Sequence, residues 1–183
     1  MSIFKRNRKI KNEVELIELA KKNSQYFAPI YKKYHEQIYR FVYQRMDTKD
    51  LAADVTSQVF LKAMLNINKY EHKGFPFSSW LYRIAANEIN QHYRTIKKGR
   101  TVNLDENDIK NIIEEVDVPF DVEKREQLLS ILASLSADKI TLIEMRFFEK
   151  RSFKEIAQIL NITENNAKVK TYRVLEEMKK NML

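Results

Sequence analysis

Apolar residues recur at three- and four-residue steps along most of this chain, which is the spacing of an amphipathic helix. A long helix is predicted from Phe27, a second after Asp47-Thr48, and a third from Ser78 toward Arg94. The chain lacks alternating apolar and polar runs of strand length, and it holds only two glycines and three prolines. The pattern therefore predicts an all-α protein. The apolar stripe of the first helix is Phe27, Ile30, Tyr31, Tyr34, Ile38, Phe41 and Val42.

The C-terminal part repeats this pattern in shorter pieces. Residues 128–135 predict a short helix, and Ser136 is placed to cap the next one. Residues 153–170 then read as two helices that meet at a tight turn, the spacing of a helix-turn-helix. Thr163 would cap the second helix, whose outer face suits base edges and phosphates. An ordinary helical hairpin with a solvated basic face is the alternative. The candidate DNA-contacting residues are Thr163, Glu164, Asn165, Asn166, Lys168, Lys170 and Arg173.

The charge divides the chain into three parts. The net charge is +8 and favours an anionic partner, most simply nucleic acid, with an acidic membrane surface as the weaker option. Residues 1–100 carry +11, whereas residues 101–126 carry −6. We expect two small helical domains, 1–100 and 127–183, joined by an acidic linker, 101–126. This linker is expected to pack poorly and to be flexible, serving as a soluble spacer or as a mimic of nucleic-acid charge in a basic channel of a partner.

Composition argues against several other classes of protein. Without cysteine there are no disulfides or thiolate metal sites, and no apolar run is long enough to span a bilayer. The basic N-terminus lacks the apolar core of an export signal, so we expect a cytoplasmic protein with no membrane insertion. The histidines lack metal-ligand partners at helical spacing, and no glycine-rich phosphate loop is present. Asp50 and Asp54 share neighbouring helical turns, but no further group converges on them as a nuclease would need. We expect no enzyme activity, cofactor, metal or small-molecule substrate.

Aromatic residues cluster in the first domain around one loop and the helix that follows it. Aromatic faces can stack on unpaired bases while lysines and arginines hold the phosphate chain. Phe77 and Trp80 could equally be core anchors, since large aromatics at helical spacing usually are. Both roles are compatible with one cluster. The aromatic residues concerned are Tyr70, Phe75, Phe77, Trp80, Tyr82 and Tyr93.

Three segments together resemble the extracytoplasmic-function (ECF) group of bacterial sigma factors. These are residues 54–63 (DVTSQVFLKA), residues 77–87 (FSSWLYRIAAN) and the terminal helix-turn-helix, in the family's order and spacing. The resemblance runs from about Tyr26 to Met182. It implies a non-enzymatic protein that binds core RNA polymerase, recognises promoter DNA and helps to open it. Gln58, Asn161 and Ala167 stand where the family usually has an acidic residue, glycine and valine, and asparagine tolerates a left-handed turn.

The resemblance also implies roles for individual positions. The segment at residues 54–63 matches the part that docks on the clamp helices of the largest polymerase subunit, here Asp54, Gln58, Phe60, Leu61 and Lys62. The loop 69–76 and the helix after it match the part that reads the unwound minus-ten strand, here Tyr70, Phe75, Phe77, Trp80, Arg83, Asn87 and Arg94. Residues 163–173 match the helix that enters the major groove of the minus-thirty-five element. The linker corresponds to one that threads toward the RNA exit channel.

Two other classes remain open at this point. A free-standing helix-turn-helix regulator would bind a palindromic duplex without polymerase, but it leaves the aromatics of the first domain unexplained. A helical adaptor would bind proteins only and would fail to bind nucleic acid even at low salt, contrary to the basic charge. The sequence also leaves open whether an anti-sigma protein covers the polymerase-binding surface.

Overall fold

The computed structural model describes residues 13–72, 74–96, 106–116 and 122–182, and these ranges contain helices and no strand. The predicted all-α class is confirmed. In chain order the helices are α1 (Glu13–Lys22), α2 (Phe27–Tyr43), α3 (Lys49–Asn66), α4 (Phe77–Ile96), α5 (Glu106–Val116), α6 (Val122–Ser134), α7 (Ala137–Ile143), α8 (Phe153–Leu160) and α9 (Glu164–Met182). Short 3₁₀ turns precede α2 and follow α3, and a π-helical turn, Glu144–Phe148, follows α7.

Helices α1 to α4 form the first body. Thr48 caps α3 by accepting a hydrogen bond from the amide of Leu51, which explains why the helix begins there. The predicted apolar stripe of α2 is buried except for Tyr31, which is 41% exposed. Helix α4 buries Phe77, Leu81, Ala85 and Ile89 against α2 and α3, so its opposite side is left to carry polar residues.

Helices α5 to α9 form the second body, and here the structure departs from the linker prediction. Part of the acidic segment, Glu106–Val116, is helix α5, and α6 already begins at Val122. Helix α5 buries four apolar residues at helical spacing, while Glu114 and Glu115 face solvent. The expectation of poor packing is therefore wrong for residues 106–116. The buried residues of α5 are Ile109, Ile112, Ile113 and Val116.

The two bodies share one apolar core. The cluster that holds the interior of α2, α3 and α4 continues into the second body. Helices α4 and α8 pack against each other at this junction. A second cluster lies wholly within the second body, among α5, α6, α7 and α9. The second-body residues that join the shared core are Leu142, Met145, Ile156, Ala157, Ile159 and Ala167.

Candidate nucleic-acid interface

The predicted helix-turn-helix is present, and its local chemistry explains its geometry. Helix α8 begins with a capping box in which the Ser152 hydroxyl accepts from the Glu155 amide and the Glu155 carboxylate accepts from the Ser152 amide. Hydrogen bonds from Ser152 and Arg151 outweigh burial and lower the pKa of Glu155. Helix α8 ends at Leu160, and the cap residue that follows, Asn161, is in the left-handed conformation with φ 56° and ψ 46°. Asparagine thus serves where glycine would otherwise be expected.

Helix α9 follows this turn and is oriented by one cap and one small residue. The Thr163 hydroxyl accepts a hydrogen bond from the Asn166 amide at 3.2 Å, which confirms the predicted cap. Ala167 is fully buried and brings α9 close to α8. The opposite side of α9 is solvent-exposed. All the candidate DNA-contacting residues on this side are exposed, namely Thr163, Glu164, Asn165, Asn166, Lys168, Lys170 and Arg173.

The aromatic cluster of the first body is a compact group at the start of α4. The ring centroids of Phe77 and Trp80 lie 5.3 Å apart, and Tyr70 lies 4.9 Å from Phe77 and 5.3 Å from Trp80. Phe77 is fully buried and Tyr70 nearly so, whereas Trp80 and Phe75 are half-buried. Of the rings predicted to contact DNA, Phe77 and Tyr70 therefore lie in the core and support the more accessible Trp80.

Arg83 connects this cluster to the second body. Its Nε donates to the carbonyl oxygen of Ile159 at 2.9 Å, and its Nη2 donates to the carbonyl oxygen of Gln158. Both acceptors lie in the last turn of α8, where the helix dipole favours a cation. A cavity of about 150 Å³ lies beside this contact, between Trp80 on one wall and Asn161 on the other. Of the other polar candidates in α4, Asn87 and Arg94 are exposed.

A buried group of charges lies elsewhere between the two bodies. Arg45, directly after α2, is fully buried, and its Nε lies 2.8 Å from the Glu144 carboxylate, which is also fully buried. Tyr82 donates from its hydroxyl to Glu149 at 2.9 Å, and the Arg151 guanidinium lies over the Tyr82 ring. Burial, together with the neighbouring Glu149 carboxylate, raises the pKa of Tyr82 to about 12. Polar contacts thus reinforce the apolar junction.

The residues predicted to bind polymerase all lie on α3. All but one of them are on its outer surface. Asp54, Gln58, Leu61 and Lys62 are exposed, but Phe60 is only 3% exposed. Lys62 is paired with Glu88 of α4 at 2.6 Å. Phe60 instead forms the floor of a shallow apolar cavity of about 400 Å³ between α2 and α3.

Sequence reasoning missed the residues that join the bodies. Arg45 and Glu144 are separated by almost one hundred positions, and neither belongs to a local motif. Glu13 was also missed, although its carboxylate binds Lys33 and Tyr34. Glu144 stands among apolar residues in the sequence, but Arg45 lies between Gln44 and the polar segment that begins at Asp47, so no local signal indicated its burial.

Two features of the described residues bear on the type of site. In the ranges given above, no group of three or more His, Asp or Glu side chains is arranged to hold a metal ion. No helix among those residues has both the length and the apolar character needed to cross a membrane.

Comparison with known protein families agrees with this geometry. Sigma-70 region 2 matches residues 30–99, and Sigma-70 region 4 matches residues 125–178. The first match covers most of α2 and all of α3 and α4 with the aromatic cluster, and the second covers most of α6 to α9 with the helix-turn-helix. A region 2 body and a region 4 body in this order define a sigma factor, the class of protein that directs transcription initiation.

Individual relatives narrow this class. The chain is 27% identical over 170 residues to the ECF RNA polymerase sigma factor BldN of Streptomyces coelicolor, covering 90% of this chain but 64% of BldN. It is 25% identical over 156 residues to the ECF sigma factor SigM of Bacillus subtilis, covering 82% of this chain and 91% of SigM. The fold is similar to that of CnrH, solved with the cytosolic domain of CnrY, with a TM-score of 0.58, 16% identity and coverage of 89% and 92% of the two chains. The chain belongs to the ECF group of the sigma-70 family.

Proposed function

We propose that this sigma factor divides promoter recognition between its two bodies and binds core RNA polymerase through α3. The observation that carries the proposal is the exposed face of α9. Amide and cationic side chains project from this face, while the other side of the helix is fixed against α8. Amides suit adenine edges, and cations suit guanine edges and phosphates. This face would read the duplex minus-thirty-five element.

The first body would hold the separated minus-ten strand. Trp80 and Phe75 offer partly exposed rings that line the cavity of about 150 Å³, and Arg83, Asn87 and Arg94 lie on α4 with Trp80. Stacking contributes about 1–3 kcal/mol per base and exists only after the duplex opens. Tyr70 and Phe77 would act from the core by supporting Trp80. Binding of this kind favours the open strand without any bond being made or broken, so we propose no catalytic site and leave RNA synthesis to polymerase.

Core polymerase would bind the exposed positions of α3, namely Asp54, Gln58, Leu61 and Lys62, with Phe60 beneath them. The protein would act in the cytoplasm, where it would meet polymerase and promoter DNA. An anti-sigma protein is a further candidate partner for the same surface, and a partner of this kind would compete with polymerase. The structure described for CnrH contains the cytosolic domain of CnrY, but the low identity to CnrH supports the shared fold alone.

The first experiment is to mix the purified protein with sigma-free bacterial core polymerase and separate the species on a native gel. A stable complex that opens a promoter is expected. Replacing Leu61 with Asp should weaken the complex, while replacing Lys180 with Ala, far along the chain on α9, should not. Binding to duplex DNA without any complex would instead favour a free-standing regulator, once a co-purified inhibitor had been excluded.

A further inference from the structure

Helix α1 lies outside both family matches, yet it packs on α2 and on the 3₁₀ turn just before Tyr70, and its first residue reaches the amide of Phe77. Ile17 and Ala20 are buried against the first body, and they fix the helix in place. Its first residue, Glu13, has a side chain that is 27% exposed, low for a carboxylate at a helix start. The low exposure of this carboxylate indicates that groups of the protein, and not water alone, bind it.

Three donors surround the Glu13 carboxylate. Lys33 Nζ lies 2.6 Å from Oε1, the Tyr34 hydroxyl donates to the same oxygen, and the amide of Phe77 lies 3.5 Å from Oε2. Burial alone would raise the pKa of Glu13, but the hydrogen bonds from Lys33 and Tyr34 outweigh it and lower the pKa. The carboxylate therefore stays charged at the first residue of α4, where the helix dipole favours a negative charge.

A chain of ring contacts connects Glu13 to Trp80. The Tyr34 ring lies 6.0 Å from that of Phe77, and Phe77 lies 5.3 Å from Trp80. Tyr70, which packs on both Phe77 and Trp80, has its pKa raised by burial and by the charge of Glu13. The same carboxylate therefore binds the amide of Phe77, the first residue of α4, and the hydroxyl of Tyr34, whose ring packs on Phe77.

We propose that Glu13 is a positioning residue for the minus-ten surface, acting through Tyr34 and the start of α4 to hold Trp80 in the orientation that receives an unpaired base. The proposal rests on the proposed function, because it assumes that Trp80 contacts the melted strand. It adds a residue outside the region 2 match to that surface. Glu13 touches no DNA in this arrangement, and its effect is transmitted through the rings.

The test compares Glu13→Gln with Glu18→Gln in the full chain. Glu18 is a matched control because it lies on the same helix and pairs only with nearby Lys21 among the contacts described. Trp80 is the single tryptophan of the chain, so its fluorescence reports its surroundings directly. In the free protein, Glu13→Gln should shift the Trp80 emission and increase its quenching by acrylamide, whereas Glu18→Gln should leave both unchanged.

The functional measurement is promoter opening by the reconstituted holoenzyme, followed by permanganate reactivity of unpaired thymines. Glu13→Gln should reduce opening about five- to tenfold, as expected for the loss of charge-assisted hydrogen bonds. Tyr34→Phe keeps the ring but removes its hydroxyl and should have an intermediate effect. Core polymerase binding should be equal in all variants, and circular dichroism should confirm that each is folded at the assay temperature.

Unchanged Trp80 fluorescence in a folded Glu13→Gln variant would overturn the positioning role, whatever happens to opening. Changed fluorescence with normal opening would also overturn it, provided that Trp80→Ala impairs opening in the same assay. If Trp80→Ala itself opens the promoter normally, the assignment of the minus-ten surface fails. This failure can be told apart from a failure of the positioning role, because the fluorescence comparison does not depend on DNA.

Discussion

On α9, every side chain proposed to contact duplex DNA is exposed, whereas on α4 Arg83 is already bound to the main chain of α8. The proposed minus-thirty-five face is exposed in the protein as it stands. The proposed minus-ten face is partly occupied by the second body, so Arg83 would have to leave two carbonyl oxygens before it could hold a phosphate as proposed. The two faces thus differ in the work required before DNA binds, although both belong to one chain.

The largest expected effect comes from removing the charge that fixes the junction between the bodies. Arg45→Met leaves Glu144 buried without its cationic partner, and we expect the free energy of unfolding to fall by about 3–5 kcal/mol. Urea denaturation measures this change. The double variant Arg45→Met with Glu144→Leu should recover part of the loss, because residue 144 then needs no compensating charge, while Glu149, 3.9 Å from Arg45, still loses the cation and keeps its hydrogen bond from Tyr82. Equal losses in the single and double variants would contradict this account.

Trp80→Ala should impair only the activity proposed for the first body. Loss of one stacked base should reduce promoter opening by about ten- to one-hundredfold, in line with about 1–3 kcal/mol per base. Binding of the variant to core polymerase and to duplex minus-thirty-five DNA should stay at the wild-type level. Permanganate footprinting and a gel-shift assay measure these activities separately, and a parallel loss in all of them would argue against the division between the bodies.

The proposed duplex-binding face is tested by substitutions on α9. Replacing Lys168 and Arg173 with alanine should weaken duplex binding and reduce the slope of log affinity against log salt by about two. The matched control replaces Lys179 and Lys180, which carry the same charge in the last turn of the same helix. A titration of affinity against salt checks both pairs. The same loss from the control pair would show that net charge, rather than the exposed face, determines binding.

The smallest expected effect is a pH dependence of the junction at high pH. Burial and the Glu149 carboxylate raise the folded pKa of Tyr82 to about 12 from its ordinary value of about 10, so the folded protein retains the phenol proton after the unfolded chain has lost it. The stabilisation from Tyr82 is therefore fully present below pH 10 and decreases as the pH rises toward 12. Urea denaturation at pH 9 and pH 11 should show a smaller loss for Tyr82→Phe than for the wild type; an equal loss would assign the change to other groups.

Local patterns in the sequence correctly predicted helices α2 to α4 and the helix-turn-helix of α8 and α9. The turn at Asn161 and the cap at Thr163 depend on residues within a few positions of each other, so their geometry could be inferred before any contact was known. The exposed face of α9 followed from the same periodicity. The order of the two bodies came from the resemblance to the sigma family, and the region 2 and region 4 matches confirm that family.

Two features were beyond this kind of reasoning. In α5, four buried apolar residues are interspersed with acidic ones, and averaging charge over the segment concealed their helical spacing. The burial of Arg45 and Glu144 depends on partners distant in sequence, and only the packing of one body on the other defines it. Local propensity contains no information about such contacts.

The apolar core shared by the two bodies also affects how long the protein should survive in a cell. Separating the bodies would expose Leu142, Met145 and Ile156 to water, together with the surfaces that pack on them. Proteases and chaperones act on such transiently opened forms, and their access depends on the population of the open state. We therefore expect the closed arrangement to protect unbound molecules from degradation and variants with a weakened junction to have shorter half-lives. The stability of this junction would then contribute to the protein's steady-state abundance.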